Sequence, residues 1–369
     1  MERKSSLILT FFIVMLTAGA FAGCGEAVVP PVPVETFAPL SEEGHERLLR
    51  AFDEQVNFWG TALIMQEGET IIHGAFGMAC NEQSIANTLD TPFFIASITK
   101  QFTGAAILML EAEGKLNTTN TLDNFFPGHD SLVNVTIADL LTMRGSFGPN
   151  IGLNDLYETY GFERIEALSL ADIETLILTA WSGEILESPN YSSWNYWLLG
   201  RIIEQVSGMA YEEFVKTRIF APVGMQNSGF AGSHHSAMPH NTVYNHWDDI
   251  LIRPFPLLYS SAGIVSTVND LNLWLEAYFG GKLFPEYRLS QIYNGSYNYG
   301  WEFDGSGTWM HSGILPGFRG YIIYDKDSDT RIILLSNSIS LGADHRQLGA
   351  IWYLMRLASR ELLGRTFHF

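Results

Sequence analysis

Apolar residues recur at two different spacings along this chain, and the spacing changes with position. Between His45 and Phe58, Leu48, Leu49, Phe52 and Val56 recur every three to four residues, which predicts a helix. Residues 61–66 and 70–73 are instead short β-rich runs about Glu67-Gly68-Glu69, the pattern of a hairpin. From Ser97 to Glu113 the helical spacing returns: Phe102, Ala105, Ala106, Met109 and Leu110 share a face, and Gly114 stands where a C-cap belongs. Further helices are predicted over 194–206 and 211–219, separated by Ser207-Gly208. Strand-like runs resume at 298–303, 320–326 and 330–336, with Asp327-Ser328-Asp329 as the turn between the last two, and a helix over 341–363 closes the chain. Strands at both ends of a mostly helical middle predict an α+β fold. Its antiparallel sheet is assembled from the two chain ends and flanked by helices, with a helical subdomain inserted over roughly 90–260. A groove at such a junction is where a small-molecule site is expected.

The first 24 residues have the pattern of a targeting segment. Arg3 and Lys4 precede an apolar run, 7–16, that is short for a bilayer span. Phe21-Ala22-Gly23-Cys24 then resembles a bacterial lipoprotein processing site, in which Cys24 is lipidated. Phe21 stands where Leu is usual, so ordinary signal-peptide cleavage is the alternative. Residues 25–44, rich in Pro and Val, read as an extended tether, and 45–363 as the folded domain. The expectation is a cell-envelope lipoprotein that meets the membrane only through its N-terminal lipid, or a secreted protein if Cys24 is unmodified. With Cys24 lipidated, Cys80 has no partner and no disulfide is expected.

Composition narrows the function classes. Of 369 residues, 47% are hydrophobic and 17% charged, a balance that folds into a core. The net charge of −19, from 21 basic and 40 acidic side chains, repels phosphate and excludes nucleic acid as a partner. The same charge argues against docking on anionic lipid through a basic patch. No phosphate-binding glycine loop or dinucleotide fingerprint is present, and no cofactor is expected. His234, His235, His240 and His246 cluster beside Asp248 and Asp249, but their spacing fits no zinc pattern. The expected partner is a small molecule or short peptide.

The chemistry-bearing segment is Ser97-Ile98-Thr99-Lys100. Residues three apart on a helix share a face, so the Ser97 hydroxyl and Lys100 amine can meet. A serine hydroxyl is a poor nucleophile until a base takes its proton, and a lysine can do so once burial lowers its pKa. A serine in the first turn also lies beside free backbone N–H groups, which favour the anionic intermediate of acyl transfer. Tyr191, in Tyr191-Ser192-Ser193, is a second proton carrier whose anion becomes accessible beside an ammonium. His311-Ser312-Gly313 precedes a strand; a strand edge there supplies a second oxyanion N–H from about Ile314 and pairs with an extended substrate.

With these residues in view, the chain resembles the serine β-lactamase-related, penicillin-recognising family, which includes class C β-lactamases, D-Ala-D-Ala carboxypeptidases, D-aminopeptidases and esterases. The resemblance covers about 45–340 in order: the segment from Phe94 to Thr103, Leu140-Leu141-Thr142, Asn190 to Gly208, Pro222-Val223-Gly224-Met225, Ser261-Ala262-Gly263 and His311 to Gly317. It implies the β-lactamase/DD-peptidase fold, acylation of Ser97, proton exchange through Lys100 and Tyr191, and substrate or oxyanion contacts from Ser193, His311, Ser312, Gly313 and Ile314. It implies a serine hydrolase acting on esters or D-amino-acid-containing amides and peptides. His311 stands where Lys is usual in the Lys-Thr-Gly motif, so recognition of a substrate carboxylate, and β-lactamase activity with it, is expected to be weak or absent. Two further departures stand out. Ser193 replaces the Asn of Tyr-x-Asn, and Met143-Arg144-Gly145-Ser146 replaces His-Thr-Ser-Gly on the groove wall. No E-x-x-L-N pattern for class A deacylation is present. The Ser193 departure leaves a second reading, a catalytically silent, surface-tethered binding protein for peptidoglycan fragments.

Overall fold

The strands predicted at the two ends of the chain meet in one sheet. A computed structural model describes residues 41–54, 58–80, 83–147, 168–230, 256–285, 296–315, 317–339, 349–365 and 367. Its largest sheet is antiparallel with seven strands in the order β10-β11-β12-β13-β14-β1-β2. The N-terminal hairpin supplies β1 (Gly60–Gln66) and β2 (Glu69–Phe76). The C-terminal part supplies β10 (Tyr297–Asn298), β11 (Trp301–Phe303), β12 (Thr308–Leu315), β13 (Gly317–Asp325) and β14 (Thr330–Ile339). The seam is β1 against β14, from Gly60↔Ser336 to Met65↔Arg331.

These central strands read as unbroken apolar runs because both sheet faces are covered. Leu63, Ile322, Ile333 and Leu335 enter one core, whereas Ala62, Ile64, Ile323, Ile332 and Leu334 enter another. The alternation is the two-residue period of a strand. Helices α1 (Glu42–Glu54) and α10 (Gly349–Leu363) cover the second face with Leu48, Phe52, Leu354, Met355 and Leu362. Of the closing helix expected over 341–363, residues 341–348 lie outside the described set.

The other face meets the inserted part. Helix α2 (Thr99–Ala112) is buried along nearly its whole length, including Lys100, Gln101 and Thr103. It packs through Phe102, stacked on Trp274 at 4.0 Å between centroids. Around it lie α3 (Ile137–Leu141), α4 (Leu170–Thr179), α5 (Ser193–Ser207), α6 (Tyr211–Val215), α7 (Ala221–Val223), α8 (Tyr259–Ala262) and α9 (Val268–Phe279). The helix expected over 211–219 is α6 followed by a π-helical turn, Lys216–Phe220. Small sheets complete the fold. β3 (Met78–Cys80) pairs with β4 (Ile85–Ala86), and β6 (Gly145–Phe147) with β7 (Trp181–Ile185). β5 (Phe93–Phe94), β9 (Ile264–Ser266) and β8 (Gly229–Phe230) form a third. The architecture is α+β with an antiparallel sheet between helical layers, as expected from the sequence.

Strand β12 departs from the sequence pattern. Thr308–Leu315 mixes polar residues and Gly313 into its apolar run, which hides the strand alternation. It pairs with β13 along its whole length, from Thr308↔Asp325 to Leu315↔Phe318, but with β11 only at Trp309 and Met310. Among the described residues, its upper half therefore has one free edge.

Candidate active site

Ser97 sits in a single 3-10 turn, Ala96–Ile98, that runs directly into α2. The turn is anchored to β9: Ile95 N–H donates to the Ile264 carbonyl at 3.1 Å, and the Thr99 hydroxyl accepts from Ile264 N–H at 3.2 Å. Between these anchors Ala96 takes a φ of 47°, a left-handed conformation costing a non-glycine residue about 1–3 kcal/mol. The N–H of Ser97, in the opening turn, has no acceptor within the helix.

Lys100 is one turn further on and wholly buried. Its Nζ donates to Ser97 Oγ at 3.0 Å, to Ser193 Oγ at 3.2 Å and to the Ser261 carbonyl at 3.0 Å. No carboxylate pairs with it among the described residues. Burial without a counter-charge lowers the amine to about 7, so near neutral pH it can accept a proton.

Tyr191 comes from the loop before α5. That loop is docked on the segment where the sequence departs from the family: Asn190 N–H donates to the Met143 carbonyl at 2.8 Å and Arg144 Nε to the Leu186 carbonyl at 2.7 Å. Tyr191 is 49% exposed, while its hydroxyl end is sheltered and meets Ser97. Lys100 Nζ lies 5.0 Å from the ring centroid. Loss of water at the hydroxyl raises the phenol above its ordinary value, the Ser97 contact offsets part of that, and Glu302 adds to it. Burial of the hydroxyl itself works against the accessible phenolate expected from the sequence. Ser193 opens α5, and its hydroxyl completes the Lys100 shell where an Asn would project further.

Strand β12 closes the site opposite. At Gly313 a side chain is impossible: a Cβ would stand 2.1 Å from the Ile95 carbonyl oxygen and 3.2 Å from Ala96 Cβ. The strand thus lies directly on the Ser97 turn. Asp304 N–H donates to the Thr308 carbonyl, so by alternation the peptide groups of Ser312 and Ile314 face the β11 side, where no strand follows. The Ile314 N–H therefore points to the open edge beside Ser97, and the Ile314 side chain is 45% exposed. His311, by contrast, is 1% exposed. Its Nδ1 lies 2.6 Å from the Ser312 carbonyl and its Nε2 3.0 Å from the Tyr297 hydroxyl. Burial, with the nearby Lys100, lowers its pKa to about 3, so the ring is neutral.

The structure thus brings Ser97, Lys100, Tyr191 and Ser193 together, lays Gly313 and Ile314 along one side, leaves Ser312 half-buried on the same strand, and sets His311 behind them. Cys24 and the 234–246 histidines lie outside the described residues, among which no three His, Cys, Asp or Glu side chains converge as metal ligands. Three contributors carry no sequence signal for the part they play, although Ser261 lies in a segment of the resemblance. The Ser261 carbonyl acts through its backbone, and Tyr297 is one of 15 tyrosines. The third is the β10–β11 turn, where a Cβ on Gly300 would meet the Lys100 carbonyl carbon at 2.4 Å and one on Gly104 the Tyr299 carbonyl oxygen at 2.4 Å.

This geometry can be set beside known proteins. PbpX of Bacillus subtilis (strain 168), named as a penicillin-binding protein, is 28% identical over 291 residues, covering 77% of this chain and 72% of its own. Penicillin-binding protein 4* of the same organism is 26% identical over 323 residues, covering 79% and 71%. Among solved structures, the D-amino acid amidase of Ochrobactrum anthropi in complex with D-phenylalanine superposes with a TM-score of 0.71 at 20% identity, covering 87% of this chain and 99% of the amidase, a likeness of fold. The model of the beta-lactamase family matches residues 45–351, a span that holds the Ser97 turn, α2, Tyr191 and β12, and the chain belongs to that family of serine hydrolases.

Proposed function

We propose that the chain hydrolyses esters or D-amino-acid-containing amides and peptides through an acyl-enzyme on Ser97, with weak or no turnover of β-lactams. One observation carries this reading: a buried lysine amine, near neutrality, 3.0 Å from a serine hydroxyl in a helix entrance. Lys100 takes the Ser97 proton as Oγ attacks the substrate carbonyl carbon. The oxyanion accepts from the N–H groups of Ser97 and Ile314. Tyr191, protonated at neutral pH, passes its proton to the leaving group as the bond breaks and recovers one from Lys100. Water then attacks the acyl carbon as Lys100 accepts its proton, and Lys100 returns that proton to Ser97 Oγ as the acyl–oxygen bond breaks.

The buried neutral His311 supports the substrate ranking, since this motif position presents no cation to a β-lactam carboxylate. The N-terminal pattern supports an enzyme held at the cell envelope by a lipid on Cys24, or secreted. Side-by-side turnover of p-nitrophenyl esters, D-alanyl peptides and nitrocefin tests the reading. Ester turnover above nitrocefin turnover is expected, and the reverse order overturns it. Fluorophosphonate labelling of the wild type and of Ser97→Ala separates enzyme from silent binding protein: labelling lost in the variant supports the enzyme, and equal absence in both supports the binding protein.

A further inference from the structure

A cavity of about 440 Å³, in the size range of small-molecule sites, opens between the end of α5, α6 and α8. None of Ser97, Lys100, Tyr191 or strand β12 lines it. Its wall is aromatic: Tyr211 meets Phe230 edge-on at 5.8 Å and Tyr259 at 5.2 Å between centroids. Its charge is acidic. Glu204 is paired with Arg201 and accepts from the Tyr211 N–H at 2.9 Å. Lys216 Nζ lies 3.5 Å from Glu212 and 5.6 Å from the Phe230 ring centroid. That leaves Glu213, whose carboxylate has no ion pair among the described residues. Aromatic rings beside an uncompensated carboxylate suit a ligand that carries an apolar ring and an ammonium, and the wall already holds one ammonium over a ring. A chain with a net charge of −19 also draws in cations.

The wall of this cavity is also the support of the catalytic amine. The segment 259–264 lines the cavity at Tyr259 and Gly263 and touches the site with the residues between and after them. The Ser260 carbonyl accepts from the Thr103 hydroxyl at 2.6 Å, the Ser261 carbonyl accepts from Lys100 Nζ at 3.0 Å, and Ile264 anchors the Ser97 turn. Because Thr103 gives its proton to a carbonyl, the Tyr211 hydroxyl donates to Thr103, 2.7 Å away, tying a second wall residue to α2. Tyr259 itself is strained and wedged. Its φ of 26° is one that a bulky residue rarely takes. On the α5 side it has no room, since a Cβ on Gly200 would stand 2.6 Å from Tyr259 Cε1. A ligand against the cavity side of the ring therefore holds Tyr259 where it is. We propose that the cavity is an effector site for a small aromatic ammonium, and that its occupancy fixes the Ser261 carbonyl on Lys100 and speeds acylation. The two states are this strained position of Tyr259 and a relaxed one in which α8 draws the carbonyl away, and the ligand selects the first. Recognition of the ammonium stands apart from the hydrolase reading; its effect on acylation rests on that reading.

Binding and coupling are tested apart. Phenethylammonium and the neutral phenethyl alcohol are titrated calorimetrically into the wild type and into Ala210→Trp, whose indole fills the cavity. The ammonium is expected to bind about threefold more tightly than the alcohol, and Ala210→Trp to abolish binding. No binding, equal affinities, or binding that survives Ala210→Trp overturns the site. Should Ala210→Trp fail to fold, Glu213→Lys is expected to remove the preference for the ammonium, and a preference left intact overturns the site as well. Coupling is read by magnetic resonance on isotope-labelled lysine, from the signal that is missing in Lys100→Met. The ammonium should move that signal in the wild type and leave it unmoved in Ala210→Trp; a signal that stays put in the wild type overturns the proposal. In stopped-flow fluorophosphonate labelling, saturating ammonium should raise the wild-type rate about fivefold, and a rate unchanged or lowered overturns it too. A Lys100 signal that moves on binding, with no labelling of the wild type, supports the effector site and removes the hydrolase reading alone.

Discussion

The Tyr297 hydroxyl lies 3.0 Å from His311 Nε2, and the direction of that hydrogen bond is fixed by the other end of the ring. The Ser312 carbonyl, 2.6 Å from Nδ1, can only accept, so Nδ1 carries the proton and Tyr297 donates to Nε2. His311 is thereby a neutral strut that clamps the Ser312 peptide. Because that peptide is two residues before Ile314, the clamp fixes the edge carrying the second oxyanion donor. Tyr297→Phe leaves Nε2 buried without a donor and should cost about 1–3 kcal/mol, measured by denaturant unfolding. An unchanged midpoint would show that the bond does not hold the strand.

His311 also sets an acid limit. The unfolded chain takes a proton at the ordinary value of 6.5, whereas the folded protein refuses it until about 3. The unfolded state therefore binds more protons in that window, and stability falls as pH drops through it. His311→Asn should show a shallower loss of stability between pH 6.5 and 4, read from thermal midpoints across that range.

Lys100 acts in the opposite region of pH. Its amine is lowered from 10.5 to about 7, so acylation should rise with pH through an apparent pKa near 7, measured by stopped-flow labelling. Between those two values the unfolded state holds a proton that the folded state has released, so this residue's penalty is full below about 7 and fades as pH rises toward 10.5. Lys100→Met should abolish acylation yet raise stability relative to wild type, more at pH 6 than at pH 9. An active Lys100→Met protein would remove lysine from the chemistry.

Ser193 supplies one of the three partners of the amine. Ser193→Ala removes a hydrogen bond worth about 1 kcal/mol, roughly fivefold in rate, and should slow acylation by that factor without preventing labelling. Complete loss would place Ser193 in the proton path itself.

Gly313 is the tightest contact between sheet and nucleophile turn. Gly313→Ala forces a Cβ to 2.1 Å from the Ile95 carbonyl oxygen, which only backbone movement can relieve. The movement separates Ile314 N–H from Ser97, so acylation should fall by at least a hundredfold, the scale of losing one oxyanion donor. Labelling at the wild-type rate would show that the donor lies elsewhere.

The sequence by itself determined the helix opening at Ser97, the terminal hairpin, the sheet from two chain ends, and the pairing of Ser97 with Lys100, because each follows from a local period or a three-residue spacing. It also pointed to Tyr191, through the ordered motifs of the resemblance rather than through anything local to that residue. Only the tertiary structure decided the protonation states, since those depend on water excluded by distant segments: burial makes the Lys100 amine a base, raises the Tyr191 phenol and neutralises His311. It also decided the partners that act through backbone or from afar, the Ser261 carbonyl and Tyr297, whose roles come from strand register and chain crossing and leave no spacing to read. A linear pattern records what a residue does to its own helix or strand; desolvation and register arise only when the two ends of the chain close on each other.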